Sequence, residues 1–515
     1  MYLAITLFLI LVSALVLVGL RLFRPNFTYA WPIAVMGALL IWISTFLWQI
    51  NFPTALTLYS FNHNNGFGYT ISLTADGTNY PYALGIVSIM LAVIFVSAMK
   101  AREANPLGWV AMFFLSAVGL LAVLSGNLFT LITAWALLDI SGLVSAQNAG
   151  DDPTLNVKSV LAFSSRVIGT GIILWATILG FSGHELTTVH QSIGTLVVLG
   201  IMVRLSALII PIPYSKDPAI RNEYEVFFKL ITISSTIVLL SRLNMNENPA
   251  LSEIFLILLI GLVGYFSVVK SIRERNDSSS RIAWTLGLAA LAISSTLLGN
   301  PIGSTAWGSA ILFSGGLLFL YKAQNRIITI GLLISVYILS SLPYSLTASG
   351  WMDNFSSSPA LQIYLIPSLG LLIASYIQSM LRSERESLDN YPRWVKVFYP
   401  MGLAILAFTG FALGITGWDG AGQWNTWIPA LVAIIIAVIL SIILLRIPEP
   451  SPDRLQVKGE PAVWINTIQS IFIGLFNATR RLLDLLTNIF EGDGGILWTI
   501  LFLVIFISLL GLYAF

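Results

Sequence analysis

The chain has 515 residues, of which 57% are hydrophobic and only 10% are charged. A soluble domain averages about 25% charged residues, so this composition, with a mean hydropathy of +0.86, excludes a soluble protein and indicates a polytopic membrane protein. The net charge of +2 does not indicate nucleic-acid binding, and the absence of cysteine excludes disulfides and iron–sulfur ligation. Three scattered histidines argue against haem or zinc, so no cofactor and no metal are expected.

Sixteen apolar segments are long enough to cross a bilayer, since a transmembrane helix needs about 20 mostly apolar residues. The sequence therefore predicts an all-α polytopic membrane protein with about sixteen transmembrane helices. The first segment lacks a basic start and a cleavage-type pattern of small residues, so we expect a retained helix and not a signal peptide. The predicted spans are 1–23, 29–50, 80–99, 107–125, 127–147, 158–181, 191–213, 224–243, 251–272, 281–299, 304–323, 326–346, 359–383, 396–416, 427–447 and 493–515.

Basic residues alternate between the connections that join these spans. If the N-terminus lies outside, the odd-numbered connections hold most of the 26 Lys and Arg residues, whereas the even-numbered ones, including the long 51–79 loop, hold almost none. Arg242, at the end of the eighth span, is the exception. Because basic loops stay in the cytoplasm, the pattern predicts a prokaryotic-type cytoplasmic membrane with both termini outside.

A few charged residues lie within or at the edge of the predicted spans, namely Asp139, Arg166, Arg204 and Lys229. Charge at bilayer depth is costly, so each is a candidate for a proton or ion path. The alternative is that Asp139 pairs with an arginine only to hold helices together. No catalytic residue is predicted.

Two spans are interrupted by proline at matching places, five apart in the count. Span seven ends with Pro211 and Pro213 in Ile-Pro-Ile-Pro-Tyr-Ser, and span twelve contains Pro343 in Ser-Leu-Pro-Tyr-Ser-Leu. Proline frees helical carbonyls, which a membrane tolerates only against protein or water. The breaks indicate repeated halves with a pathway nearby. Ordinary kinks at helix ends are the alternative.

The segment 461–490 has a different pattern from the spans. Apolar residues such as Trp464, Ile468 and Leu475 recur at three- and four-residue steps, while Arg480 and Arg481 lie in the middle. This pattern is typical of an amphipathic helix that lies in the membrane interface. Such a helix would run laterally before a final transmembrane helix.

Five stretches stand out in the chain, namely Tyr69–Tyr80, Asn127–Trp135, Leu240–Leu243, Gly315–Leu320 and Ser341–Trp351. In their order and spacing they resemble the antiporter-like, proton-translocating membrane subunits of respiratory complex I and Mrp antiporters. The resemblance implies two inverted five-helix repeats, a C-terminal lateral helix and other membrane subunits as partners. It divides the chain into helices 1–3 at 1–106, repeats at 107–243 and 251–383, two helices at 396–447, the lateral helix at 461–490 and a last helix at 493–515.

The chain also departs from the family pattern. The resemblance implies a glutamate directly after Trp135, where Ala136 stands, with Asp139 one turn further on. The family's lysine on helix seven is best matched by Arg204, and arginine does not release its proton under ordinary conditions. No Asp, Glu, Lys, Arg or His occurs in 282–321 or 327–352. The sequence is therefore identified as a degenerate member.

Three functions follow as hypotheses. The first is a membrane-arm subunit of a complex-I-like respiratory or photosynthetic proton-pumping assembly, with a reduced or lost proton path. The second is a transporter subunit of an Mrp-type cation/proton antiporter or an inorganic-carbon uptake system, and the third is a purely structural membrane subunit. The sequence has no nucleotide loop or cofactor motif, so the chain is at most a non-redox subunit of an enzyme complex. The expected partners are other membrane subunits and the lipid bilayer, without nucleic acid.

Overall fold

The apolar segments form helices, because inside a bilayer each backbone N–H and C=O group must find its partner within the protein. A computed structural model describes residues 2–24, 30–61, 69–100, 105–150, 153–180, 191–243, 245, 251–274, 277–324, 326–351, 359–381, 386–388, 391–416 and 427–446. They fall within one structural unit, Met1–Arg446. The predicted lateral helix at 461–490 and the last helix at 493–515 lie outside the described residues.

Thirteen helices of the described part of the chain are long and apolar enough to cross a membrane. The class predicted from the sequence, an all-α polytopic membrane protein, is confirmed, while the number of crossings and the inverted repeats stay predictions. The α-helices of the described residues are α1 (Tyr2–Phe23), α2 (Ala30–Phe46), α3 (Tyr80–Val96), α4 (Pro106–Val123), α5 (Leu128–Asn148), α6 (Pro153–Gly180), α7 (Gln191–Ser206), α8 (Arg221–Ile237), α9 (Leu251–Arg273), α10 (Asp277–Leu297), α11 (Pro301–Ala310), α12 (Gly316–Leu320), α13 (Arg326–Leu339), α14 (Pro359–Leu381), α15 (Arg393–Thr416) and α16 (Trp427–Arg446). Helices α11 and α12 together form one of the thirteen, and α7 and α13 are shorter apolar helices outside that count.

Helix α3 lies at the centre of the bundle, where every one of its residues is buried. It packs against α2, α4, α8 and α15. Helices α1, α9 and α16 instead expose large apolar side chains, among them Phe8, Phe255 and Ile435. Apolar side chains are stable against lipid tails, so the outer helices form the surface of an integral membrane protein.

The loop predicted at 51–79 contains a β-hairpin that the sequence reading did not identify. Strand β1 (Thr54–Phe61) pairs antiparallel with β2 (Tyr69–Ala75), with Thr54 opposite Ala75. Both strands are rich in the β-branched and aromatic residues that favour extended backbone. Two further strands, β3 (Ala323–Gln324) and β4 (Glu386–Ser387), form a short parallel pair.

Arg242, the exception to the charge bias, has a structural contact that accounts for its position. Its guanidinium donates a hydrogen bond to the carbonyl of Val123 at 3.0 Å and another to the carbonyl of Ser125. These carbonyls belong to the last residue of α4 and to a residue just beyond it, where helical partners are missing. Arg242 therefore caps a helix end.

The second proline break is closed by hydrogen bonds within the break itself. Ser341 has a φ of 57°, in the left-handed region that few residues other than glycine adopt. Its N–H donates to the Thr347 hydroxyl at 3.0 Å, which in turn donates to the Ile338 carbonyl at 2.8 Å. The Tyr337 hydroxyl donates to the Pro343 carbonyl at 2.7 Å. The carbonyls freed by the break thus find protein partners, as a membrane interior requires.

The predicted orientation gives a direct test, because the chain has no native cysteine. We expect the Ser278→Cys variant to react with a membrane-impermeant maleimide only from the cytoplasmic side. Leu58→Cys, on the exposed hairpin, should react only from the outside and serves as its control. Labelling of intact cells and of inverted vesicles measures both, and outside labelling at position 278 would overturn the charge-based topology.

Candidate functional site: a buried charged triad

Three consecutive helices of the first half bring the predicted charged residues together. Asp139 is near the middle of α5, Arg166 near the middle of α6 and Arg204 near the end of α7. The packing of α5 on α6 and of α6 on α7 places all three in the interior. Their exposed fractions are 3%, 2% and 0%, respectively. We call these three residues the buried triad.

Both arginines contact the same carboxylate. Arg204 donates hydrogen bonds from Nη1 to Asp139 Oδ2 at 3.0 Å and from Nη2 to Oδ1 at 3.4 Å. Arg166 Nε lies 3.2 Å from Asp139 Oδ1. The sequence left open which of the two arginines would pair with Asp139, and the structure places both on it.

Aromatic rings line the triad on two sides. The Arg204 guanidinium lies over the ring of Trp135, 4.2 Å from its centroid, and Arg166 lies over Phe228 at 5.5 Å. Tyr214 packs against Phe228 with a centroid separation of 4.4 Å. A cation over an aromatic face is stabilised, more so away from water. The sequence reading did not identify Phe228 or Tyr214 as site residues.

The first proline break brings Tyr214 to the triad. Helix α7 ends at Ser206, a 3₁₀ turn covers Ala207–Ile209, and Ile210 is extended. Pro211 and Pro213 follow in irregular backbone, and Tyr214 next to them interacts electrostatically with Arg166. The sequence feature that could have identified Tyr214 as a site residue is thus its position directly after the first proline break.

Close approach of α6 and α7 holds Arg204 in place. A Cβ atom at Gly169 would lie 2.6 Å from the Gly200 carbonyl oxygen and 2.5 Å from Arg204 Cγ, so only glycine fits. Arg204 Nη1 also donates to the Thr170 hydroxyl and, at 3.2 Å, to the Arg166 carbonyl. The guanidinium is therefore held by the backbone of α6 as well as by Asp139.

The structure does not bring Lys229 to the triad. Its Nζ lies 2.5 Å from Glu225 Oε1, one turn earlier on α8. Both residues line a cavity of about 590 Å³. Lys229 therefore belongs to the lining of this cavity and not to the triad.

In the second half, the ranges 282–321 and 327–352, which include α11, α12 and all of α13 except its first residue Arg326, contain no Asp, Glu, Lys, Arg or His. A π-helical turn, Ile311–Gly315, interrupts the rod that α11 and α12 form. Ser314 or Gly315, both in this turn, stands where the family resemblance implies a lysine near Phe313. Pro343 lies in the second break, which packs closely on Gly414 of α15 and not on the triad. The structure thus places polar hydroxyls, and no charge, at the matching position.

The triad limits the chemistry of this site. Arginine stays protonated in proteins, so neither partner of Asp139 can hand it a proton as a lysine could. Among the residues that the structure describes, no group of three His, Asp or Glu side chains could hold a metal ion. The arrangement can hold helices together and respond to an electric field, but it lacks a second group that exchanges protons.

No protein-family model matches the sequence, and no curated protein matches it. Solved structures do. A chain of the Mrp complex from Dietzia sp. DQ12-45-1b matches with a TM-score of 0.66 and 16% identity, over 100% of this chain and 63% of that one. A chain of the membrane-bound sulfane sulfur reductase, an archaeal respiratory membrane complex, matches with a TM-score of 0.62 and 13% identity, over 98% of this chain and 99% of that one. A chain of respiratory complex I from Thermus thermophilus matches with a TM-score of 0.58 and 14% identity, over 84% of this chain and 99% of that one.

The chain has the fold of an antiporter-like membrane subunit. The resemblance stated from the sequence motifs is thereby confirmed at the level of the fold. Identities of 13–16% show the fold and no more. The antiporter-like chain spans about 63% of the Mrp chain that it matches. The roles of the triad, the lateral helix and the loss of a proton path remain predictions.

Proposed function

We propose that this chain is a membrane-arm, antiporter-like subunit of a complex-I-like respiratory or photosynthetic proton-pumping assembly, with a reduced or lost proton path. The buried triad carries this proposal, since Asp139 lies between two arginines where the family resemblance implies a glutamate–lysine pair. The fold shared with chains of a respiratory membrane complex and of complex I supports a place among other membrane subunits.

The two halves differ in what remains of a path. In the first half, the buried charges meet at the triad, where the Asp139 carboxylate contacts two arginines. In the second half, the ranges 282–321 and 327–352 contain no Asp, Glu, Lys, Arg or His. A proton path needs groups that accept and release protons. We therefore expect the second half to serve as a scaffold.

A second candidate is a transporter subunit of an Mrp-type cation/proton antiporter or of an inorganic-carbon uptake system. The match to the Mrp complex favours it, because that match covers 100% of this chain and has a TM-score of 0.66. In this case a soluble or membrane partner would supply the chemistry. The third candidate, a purely structural subunit, keeps the same fold and transports nothing.

Copurification separates these functions. The full chain, tagged and extracted from its native membrane in mild detergent, is expected to bring down iron–sulfur and quinone-site proteins, identified by mass spectrometry. Cation-antiporter subunits in their place would support the second candidate. Purification of an unrelated tagged membrane protein from the same membrane controls for adventitious capture. Recovery of the chain without any membrane partner would contradict the proposal.

A further inference from the structure

A polar cavity lies where the ends of α3, α8, α10 and α12 meet, apart from the buried triad. Its volume is about 590 Å³, which falls in the range of small-molecule sites, roughly 300–1,000 Å³. Four separate parts of the chain each contribute a basic residue to its lining, and these residues are Lys100, Lys229, Arg281 and Lys322. Convergence of four basic side chains from distant parts of the sequence points to an anionic occupant.

Two carboxylates share the cavity, and each already contacts a lysine. Glu223 Oε1 lies 2.5 Å from Lys322 Nζ, and Glu225 Oε1 lies 2.5 Å from Lys229 Nζ. An ammonium group has three N–H donors, and each of these pairs uses one of them. Four basic and two acidic residues of the described lining leave the cavity positively charged.

Arg281 is held in a defined position. Its Nη1 donates to the Phe319 carbonyl at 2.9 Å and its Nη2 approaches the Tyr321 carbonyl at 3.4 Å. These contacts anchor the guanidinium at the end of α12. A guanidinium fixed in this way suits recognition of an oxyanion, because less side-chain freedom is lost on binding.

We propose that this cavity binds the phosphate group of an organic phosphate, carried either by an anionic lipid headgroup or by a soluble molecule. A phosphate offers several oxygens and up to two charges to converging basic donors. The cavity is larger than inorganic phosphate requires, and apolar residues such as Met99 and Phe319 line part of it, so it has room for an organic group. This inference does not depend on the proposed function, since it needs no partner subunit.

Binding is measured with the full purified chain and two classes of probe. Titration calorimetry in detergent tests glycerol 3-phosphate and inorganic phosphate as soluble probes. Native mass spectrometry after reconstitution in phosphatidylglycerol or phosphatidylcholine nanodiscs tests retention of a lipid. Binding of glycerol 3-phosphate alone identifies a soluble source, and retention of phosphatidylglycerol alone identifies a lipid. Either result supports the proposal.

Two variants at the cavity mouth test the site without removing its ion pairs. Lys100→Gln removes an exposed charge, and Asn222→Trp fills the mouth at an exposed position without changing the charge. Lys100→Gln is expected to weaken binding roughly 3- to 10-fold, the size of one partly exposed charge contact. Asn222→Trp is expected to weaken it at least as much, because the indole ring occupies space that the ligand needs. Lys158→Gln, an exposed lysine that does not line the cavity, is the matched control and should leave affinity unchanged.

The proposal would be overturned if neither class of probe bound to the folded wild-type chain. It would also be overturned if Asn222→Trp had no effect while Lys158→Gln weakened binding as much as Lys100→Gln. That result would show general attraction to a basic surface. Unchanged thermal unfolding of each variant confirms that the fold is intact. An acidic segment of a partner subunit that fills the cavity, with no phosphate bound, would likewise refute it.

Discussion

Replacing Asp139 with Asn is expected to lower the free energy of unfolding by about 3–5 kcal/mol, the usual cost of removing one partner of a buried ion pair. The reason is that two buried guanidiniums, those of Arg166 and Arg204, then lose their shared carboxylate. Unfolding of the purified chain in mixed micelles, followed by circular dichroism, measures the change. A loss below roughly 1 kcal/mol, the range of exposed pairs, would show that water reaches the triad.

Removal of the whole charged group provides the control. The triple variant Asp139→Leu, Arg166→Met, Arg204→Met is expected to regain much of the lost stability, because the desolvation cost of all three charges disappears with them. The double variant Asp139→Leu, Arg204→Met, which retains Arg166, should regain less stability, since one buried guanidinium remains without its carboxylate.

The same triple variant tests whether the triad takes part in transport. In the reconstituted parent complex, we expect an unchanged number of protons pumped per electron, because arginine does not exchange protons at neutral pH. A complex that assembles normally but pumps fewer protons would show that this subunit carries an active path. Assembly is monitored by native gel electrophoresis of the same preparation.

Replacing Gly169 with Ala is expected to destabilise the protein by about 1–3 kcal/mol, the range for overpacking a close helix contact. The added Cβ would lie 2.6 Å from the carbonyl oxygen of Gly200 and 2.8 Å from the backbone nitrogen of Arg204. Neither backbone atom can move without separating α6 from α7. That separation would also pull Arg204 away from Asp139.

Gly171→Ala is the matched control for this variant. It makes the same substitution on the same helix, but its Cβ meets nothing within 4 Å. Because alanine favours helix more than glycine does, Gly171→Ala should be neutral or slightly stabilising in the same unfolding experiment. Equal effects of the two variants would contradict the close-contact explanation and point to helix propensity alone.

The charged residues that make up the triad could be recognised from the sequence, because charges inside apolar spans are rare and costly. Its geometry could not. Phe228 and Tyr214 come from chain segments far from Asp139, and their rings reach the triad only through the packing of α8 and the first proline break. Lys229 met the same sequence criterion as the arginines, yet it lies with Glu225 on the part of α8 that lines the cavity.

The sequence by itself determined the membrane character and the approximate positions of the apolar helices that the structure describes, because the length of an apolar run is a local property that lipid selects directly. It also located both proline breaks. Only the tertiary structure decided that one carboxylate would contact two arginines, that strands 54–61 and 69–75 would pair, and that four basic residues from Lys100 to Lys322 would share one cavity. These features depend on which helix faces meet, and in a uniformly apolar bundle neighbouring faces have little sequence contrast to specify that choice.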